Sequence, residues 1–207
     1  MTRVLPAFVV ALLAIAPLFA AHAAAENYTL DPTHTYPNFA VEHWGLSMMQ
    51  GRFDKSSGRF SIDRVSKTGS AEITIETVSV GSGNAKNEPG SPEAAAWVPR
   101  SRDEHLRSGD FFNAKEFPSM TFKSTKVVFS GDLPSTVEGN FTMLGVTKPL
   151  TLSFERFKCG QNRFNKKDRC GGNAVGKFKR SEFGMKTAIP AVGDEITLNI
   201  EFEGDKD

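Results

Sequence analysis

Three kinds of side chain in this sequence could do chemistry, namely its histidines, its two cysteines and one arginine on an apolar face. Of the four histidines, His22 lies in the N-terminal apolar run, which leaves His34, His43 and His105 in three separate segments. Three imidazoles converging in space would suit zinc, and either His43 or His105 could serve as an acid–base group. Unlinked histidines are more often hydrogen-bonded structural residues, and no metal is expected. There is no nucleophile elbow, glycine-rich phosphate loop, two-histidine zinc helix or CxxC motif. No catalytic residue is assigned, and the chain is not expected to be an enzyme. His43 continues the face set by Phe39 and Val41, so it should point inward at one end of a strand. There it could hold a polar head group or bond a backbone carbonyl. Arg180 falls in phase with Ala174, Gly176 and Phe178. A buried guanidinium needs an acidic partner, for which Asp194, Glu195 or a ligand phosphate would serve.

The start of the chain reads as a targeting segment. Arg3 supplies a positive charge, Val4 to Phe19 is apolar, and Ala21-His22-Ala23 and Ala23-Ala24-Ala25 offer small residues at a cleavage spacing. Residues 1–25 are therefore expected to be a cleavable signal peptide, cut after Ala23 or Ala25, with a single domain over 26–207. In an exported chain an isolated cysteine pair is expected to close, so Cys159 and Cys170 should form a disulfide. With 25 basic and 24 acidic residues, the chain has no net field to hold nucleic acid.

The elements that would position these groups are strands. Residues 71–77, 137–143, 150–154 and 196–202 alternate apolar with polar, as antiparallel strands do when one face is buried. Around residues 119–129 the alternation changes phase, which predicts a bulge between Ser124 and Lys126. Turns are expected at Ser57-Gly58, Ser130-Gly131-Asp132, Gly145, Gly171-Gly172 and Gly193-Asp194. Pro99 to Ser108 reads as a short helix stopped by Gly109. About eight strands and one helical insertion give an all-β fold, either a closed barrel or a sandwich. Seventeen phenylalanines against two tyrosines and two tryptophans suit either an ordinary core or an apolar ligand space.

Four blocks then resemble the YceI-like family. They are Tyr28 to Thr35 with Phe39 to Gly45 and Gly51 to Phe53; Arg102 to Phe112 with Phe117-Pro118; Gly139 to Pro149; and Arg180 to Met185 with Val192 to Glu195. The resemblance covers nearly all of the chain after the leader. It implies a single extended, lipocalin-like antiparallel β-barrel in the periplasm, with a long apolar tunnel holding a polyisoprenoid, an isoprenoid quinone or a related lipid. The wall of that tunnel is expected to comprise Phe39, Val41, His43, Ile73, Ile75, Phe122, Phe141, Met143, Leu152, Phe154 and Phe178 on strand alternation, together with Phe53 and Phe183 from the family-like blocks, with His43 and Arg180 as head-group contacts. The partners implied are the lipid, a membrane or membrane protein in passing, and a second copy in a homodimer. Two departures stand out. Leu144 replaces a side chain that is often basic or imidazole in the family, and residues 87–101 form a longer connection, either a lid or a neutral insertion. An enzyme acting on a lipid and a barrel with a filled core are the alternatives.

Overall fold

A computed structural model describes residues 25–85 and 100–207. The expected signal segment and most of the 87–101 insertion lie outside the described residues. The described residues form eleven strands and one α-helix: β1 (Glu26–Leu30), β2 (Tyr36–His43), β3 (Ser47–Phe53), β4 (Ser56–Asp63), β5 (Thr68–Glu76), β6 (Val80–Gly81), α1 (Arg102–Arg107), β7 (Ser119–Ser130), β8 (Leu133–Met143), β9 (Val146–Gln161), β10 (Asp168–Lys179) and β11 (Val192–Lys206). The order β1-β4-β5-β7-β8-β9-β10-β11 closes on itself through a β1–β11 pairing, giving an eight-stranded antiparallel barrel.

The three extra strands prolong the same staves. β11 pairs with β1 through Gly204–Lys206 and with β2 through Val192–Glu201, so β1 and β2 are one stave broken at residues 31–35. Likewise β3 and β4 form one stave broken at Asp54-Lys55, and β5 and β6 one stave broken by a 3-10 turn at Thr77–Ser79. The result is an up-and-down meander. Its two ends differ by construction. One carries both ends of the sheet together with the β4–β5, β7–β8 and β9–β10 turns. The other carries the β2–β3 and β8–β9 hairpins, α1, and the β10–β11 connection.

Several expectations about turns are corrected. Ser57-Gly58 lies inside β4, Gly171-Gly172 inside β10, and Gly193-Asp194 at the start of β11. Backbone pairing with a neighbouring stave overrides local turn propensity at each. The register shift between Ser124 and Lys126 is present where the phase change placed it. A second shift, opposite Asn173/Ala174, leaves Glu155 as the extra residue of β9 and turns Phe157 inward after Phe154. The helix is shorter than the sequence suggests. It starts after a capping box in which Ser101 Oγ accepts from the Glu104 backbone N–H at 3.1 Å and the Glu104 carboxylate accepts from the Ser101 backbone N–H at 2.8 Å.

Two glycines let aromatic rings lie against the wall. The Phe122 ring occupies the space that a side chain at Gly139 would need, and the Phe39 ring does the same at Gly51. The end that bears Glu26 and Lys206 is closed by Tyr28, Leu30, Phe60, Ile62 and Cys170, packed together with Phe157 and Phe202. Tyr28 and Phe60 stack with centroids 4.9 Å apart. Cys159 and Cys170 face each other across β9–β10 and are joined by a disulfide. Arg64 caps this end by donating to Glu26 and, at 3.1 Å, to the Cys159 sulfur.

Candidate functional site

The barrel encloses a cavity of about 530 Å³. Its wall is built by the inward phase of every stave, because successive side chains on a strand point to opposite faces. Phe39, Val41, Phe53, Ile73, Ile75, Phe122, Phe141, Met143, Leu152, Phe154 and Phe178 all line it, as does His43. Phe183 does not. It is buried behind the wall, against Phe141 and Phe178 at centroid distances of 5.5 and 5.3 Å. It belongs to a 3-10 turn, Arg180–Phe183, rather than to a strand, so strand alternation does not apply to it. Alternation around 196–202 had marked Ile196, Leu198, Ile200 and Phe202 as one apolar face, and these also reach the cavity. Phe157 was missed, because the Glu155 bulge that turns it inward leaves no trace in the residue pattern.

Polar groups gather at one end of this apolar space. His43 at the end of β2, Arg102 and His105 on α1, and Arg180 after β10 all border the cavity at the mouth opposite the Tyr28–Cys170 plug. The His43 ring meets the Trp44 ring edge-on at 6.1 Å, and no hydrogen bond to its imidazole forms among the described residues. The backbone carbonyl considered for it is not its partner. His105 Nε2 lies 3.0 Å from Asp110 Oδ2, and its ring packs edge-on against Phe111. Asp110 is held below the usual carboxylate range, chiefly by the Arg100 guanidinium and then by His105.

Arg180 is only 1% exposed. Its guanidinium donates to three backbone carbonyls, Gly193 at 2.8 Å, Val192 at 2.8 Å and Met185 at 3.2 Å. This corrects the expected acidic partner. Asp194 instead accepts from the Ser181 backbone and hydroxyl, and Glu195 pairs with Lys177. Carbonyl oxygens satisfy the donors without neutralising the charge. Burial therefore lowers the Arg180 pKa, against a weaker opposing pull from Asp194.

His34 sits away from the cavity, beside Asp31 on the outer surface. The three histidines do not converge, and no cluster of three metal-ligating side chains occurs among the described residues. No helix among them is long and apolar enough to cross a membrane.

A closed antiparallel barrel wrapped around an apolar cavity, with polar groups at one rim, is the architecture of a small-ligand-binding barrel rather than of a packed β core. The YceI-like domain model matches residues 28–204, and the chain belongs to that family. It is 34% identical over 188 residues to Protein YceI of Escherichia coli (strain UMN026), covering 89% of this chain and 90% of that one. Protein YceI of Salmonella arizonae is 35% identical over 187 residues, 88% of each. Among solved structures, the Campylobacter jejuni YceI protein superposes with a TM-score of 0.62 at 27% identity, over 80% of this chain and 90% of that one. A polyisoprenoid-binding domain from Saccharophagus degradans shares the fold, with a TM-score of 0.56 at 14% identity over 87% of this chain and 98% of that one.

Proposed function

We propose that this protein is a periplasmic carrier that shields one long apolar lipid, a polyisoprenoid or isoprenoid quinone, inside the barrel. The observation that carries this reading is the cavity itself. A volume near 530 Å³ lies within the roughly 300–1,000 Å³ typical of small-molecule sites. Its wall is almost wholly hydrocarbon, and each lipid CH₂ moved into it from water contributes about 0.8 kcal/mol. The printed description of the Saccharophagus degradans neighbour as polyisoprenoid-binding fits the same ligand class. Export past a leader at residues 1–25 agrees with the disulfide.

Orientation of the lipid comes from the rim. A chain threaded toward Tyr28 leaves its head among His43, His105 and Arg180. Arg180 is a buried cation with no carboxylate hydrogen-bonded to it, so a phosphate gives it the anionic partner that its carbonyl ligands are not, and a quinone oxygen adds one more dipole of the same kind. The His105–Asp110 pair supports one rival reading, an enzyme acting on the lipid with His105 as its acid–base group.

Native mass spectrometry of the exported protein, followed by lipid extraction, tests both. A carrier retains one chemically intact lipid per chain. An altered lipid turned over by the protein favours the enzyme, and a protein that takes up no lipid under any loading condition overturns both.

A further inference from the structure

The two ends of the barrel differ in a way that the cavity does not require. Tight two-residue hairpins need left-handed backbone at their central positions, which Gly, Asn and Asp adopt at least cost. At the mouth, left-handed backbone falls on Trp44-Gly45 in the three-residue β2–β3 turn (φ 59° and 67°) and on Leu144-Gly145 in the two-residue β8–β9 turn (φ 51° and 73°). At the opposite end the left-handed turn residues are Lys67, Gly131 and Lys166. Leu144 packs against the core, but Trp44 is a bulky exposed side chain in a strained turn position, which marks a site where something other than folding selects the residue.

The tip around Trp44 is also bare. Trp44 is 65% exposed, Leu46 86% and Met48 54%. The Trp44 backbone N–H donates to the Ala191 carbonyl at 2.8 Å, which sets the exposed stretch Thr187–Pro190 beside the hairpin. Neither Trp44–Gln50 nor Thr187–Val192 contains a charged residue, in a chain where 24% are charged. Trp44 and Ala188 belong at once to this outer surface and to the cavity wall. The far end contrasts with it, because its exposed Phe164 sits among Arg163, Lys166 and Lys167.

We propose that the β2–β3 hairpin tip, with the 187–191 loop beside it, is a docking surface for a lipid bilayer, dipping Trp44, Leu46 and Met48 into the acyl boundary so that the cavity opens onto the membrane. This rests on the carrier reading. The charge pattern favours this occupant, since the tip residues 44–50 and 187–192 carry no charge and the nearest charges, Glu42 beside Gly45 and Lys186 before the loop, sit at its base where a head-group layer would lie. Trp is suited to the membrane–water interface. The area argues against a second copy, because Trp44, Leu46, Met48 and Ile189 expose on the order of 500 Å², the size of the largest, often functional, apolar patch on a monomer but short of the roughly 800 Å² per partner in a stable dimer. Continuity with the cavity wall gives the lipid a dry route between the bilayer and the barrel.

The test compares the exported protein with a Leu46→Ser/Met48→Ser variant, as neither residue lines the cavity. Co-flotation uses vesicles of phosphatidylcholine alone at high salt, and a fluorescent polyprenol is supplied either from those vesicles or from detergent micelles. The parent is expected to float. The variant should float at least tenfold less and load about tenfold more slowly from vesicles, yet load equally from micelles. Equal flotation of parent and variant overturns the proposal, as does a parent that stays unbound. Flotation confined to phosphatidylglycerol vesicles at low salt overturns it in favour of the cationic far end. A parent that dimerises through Leu46 and Met48 without binding vesicles overturns it in favour of a self-interface. If neither protein takes up the probe from any source, the carrier reading falls, while flotation still decides whether the tip docks.

Discussion

Met143 is almost fully buried, yet its side chain faces the cavity, so it has packed neighbours on one side and ligand space on the other. Replacing it by Trp adds a ring to the lumen. In a filled core such an insertion costs about 1–3 kcal/mol through strain. Here the expected outcome is a stability change of less than about 1 kcal/mol by chemical denaturation, with copurifying lipid reduced several-fold. Strong destabilisation with unchanged lipid content would mean that the space at Met143 is not used. Arg180 shows the complementary side of the site, because its hydrogen bonds all go to backbone carbonyls and no carboxylate is hydrogen-bonded to it.

Among the elements, the broken stave β1–β2 depends on one cation. Arg169 on β10 donates to Asp205 at 2.6 Å, to Glu203 at 2.6 Å and to Asp31 at 2.9 Å, joining β10 and β11 to the residue after β1. Asp31 is held well below the usual carboxylate range. Partial burial opposes this, and hydrogen bonds from Thr33, His34 and Arg169 overcome it. Asp205 is lowered mainly by Arg169, and Arg169 itself is raised, first by Asp205. The sign follows from linkage. Carboxyls with depressed folded-state pKa values bind protons more readily in the unfolded chain, so their stabilisation is present above about pH 4–5 and lost as pH falls through the folded values. Thermal unfolding midpoints are expected to hold steady from neutral pH to about pH 5 and to fall below about pH 4. The cluster is only partly shielded from water, so Arg169→Ala should cost about 1–2 kcal/mol at neutral pH. That loss should shrink in acid, and a penalty unchanged at pH 3 would place the role of Arg169 in packing rather than charge.

At the scale of the whole molecule, a barrel that holds its ligand only when folded gains stability by mass action. Ligand at about a hundred times its dissociation constant adds about 2.7 kcal/mol, or roughly 5–10 °C for a chain of this size. Protein stripped of lipid by unfolding in organic solvent and refolding is expected to melt lower by that amount and to recover on reloading with polyprenol. Equal melting of stripped and loaded protein would show that the lipid does not occupy the folded interior.

Period-two alternation determined which face of most staves turns inward, because a one-residue slip would expose a whole apolar face. That is why Ile73, Ile75, Phe141, Leu152 and Phe178 were legible as wall residues. The disulfide was legible too, since two cysteines leave one possible pairing once an oxidising compartment is expected. Tertiary structure alone decided what alternation cannot encode. Phe183 left the wall because it sits in a 3-10 turn, and Phe157 joined it because the Glu155 bulge resets the phase. Arg180 found backbone carbonyls where a carboxylate was expected, because the chain reversal between β10 and β11 brings Met185, Val192 and Gly193 around it. Closure of the sheet was likewise beyond the pattern. Inward faces look the same in a sandwich and a barrel, and only the long-range pairing of β1 with β11, 178 residues apart at Tyr28 and Lys206, turns a set of apolar faces into an enclosed space.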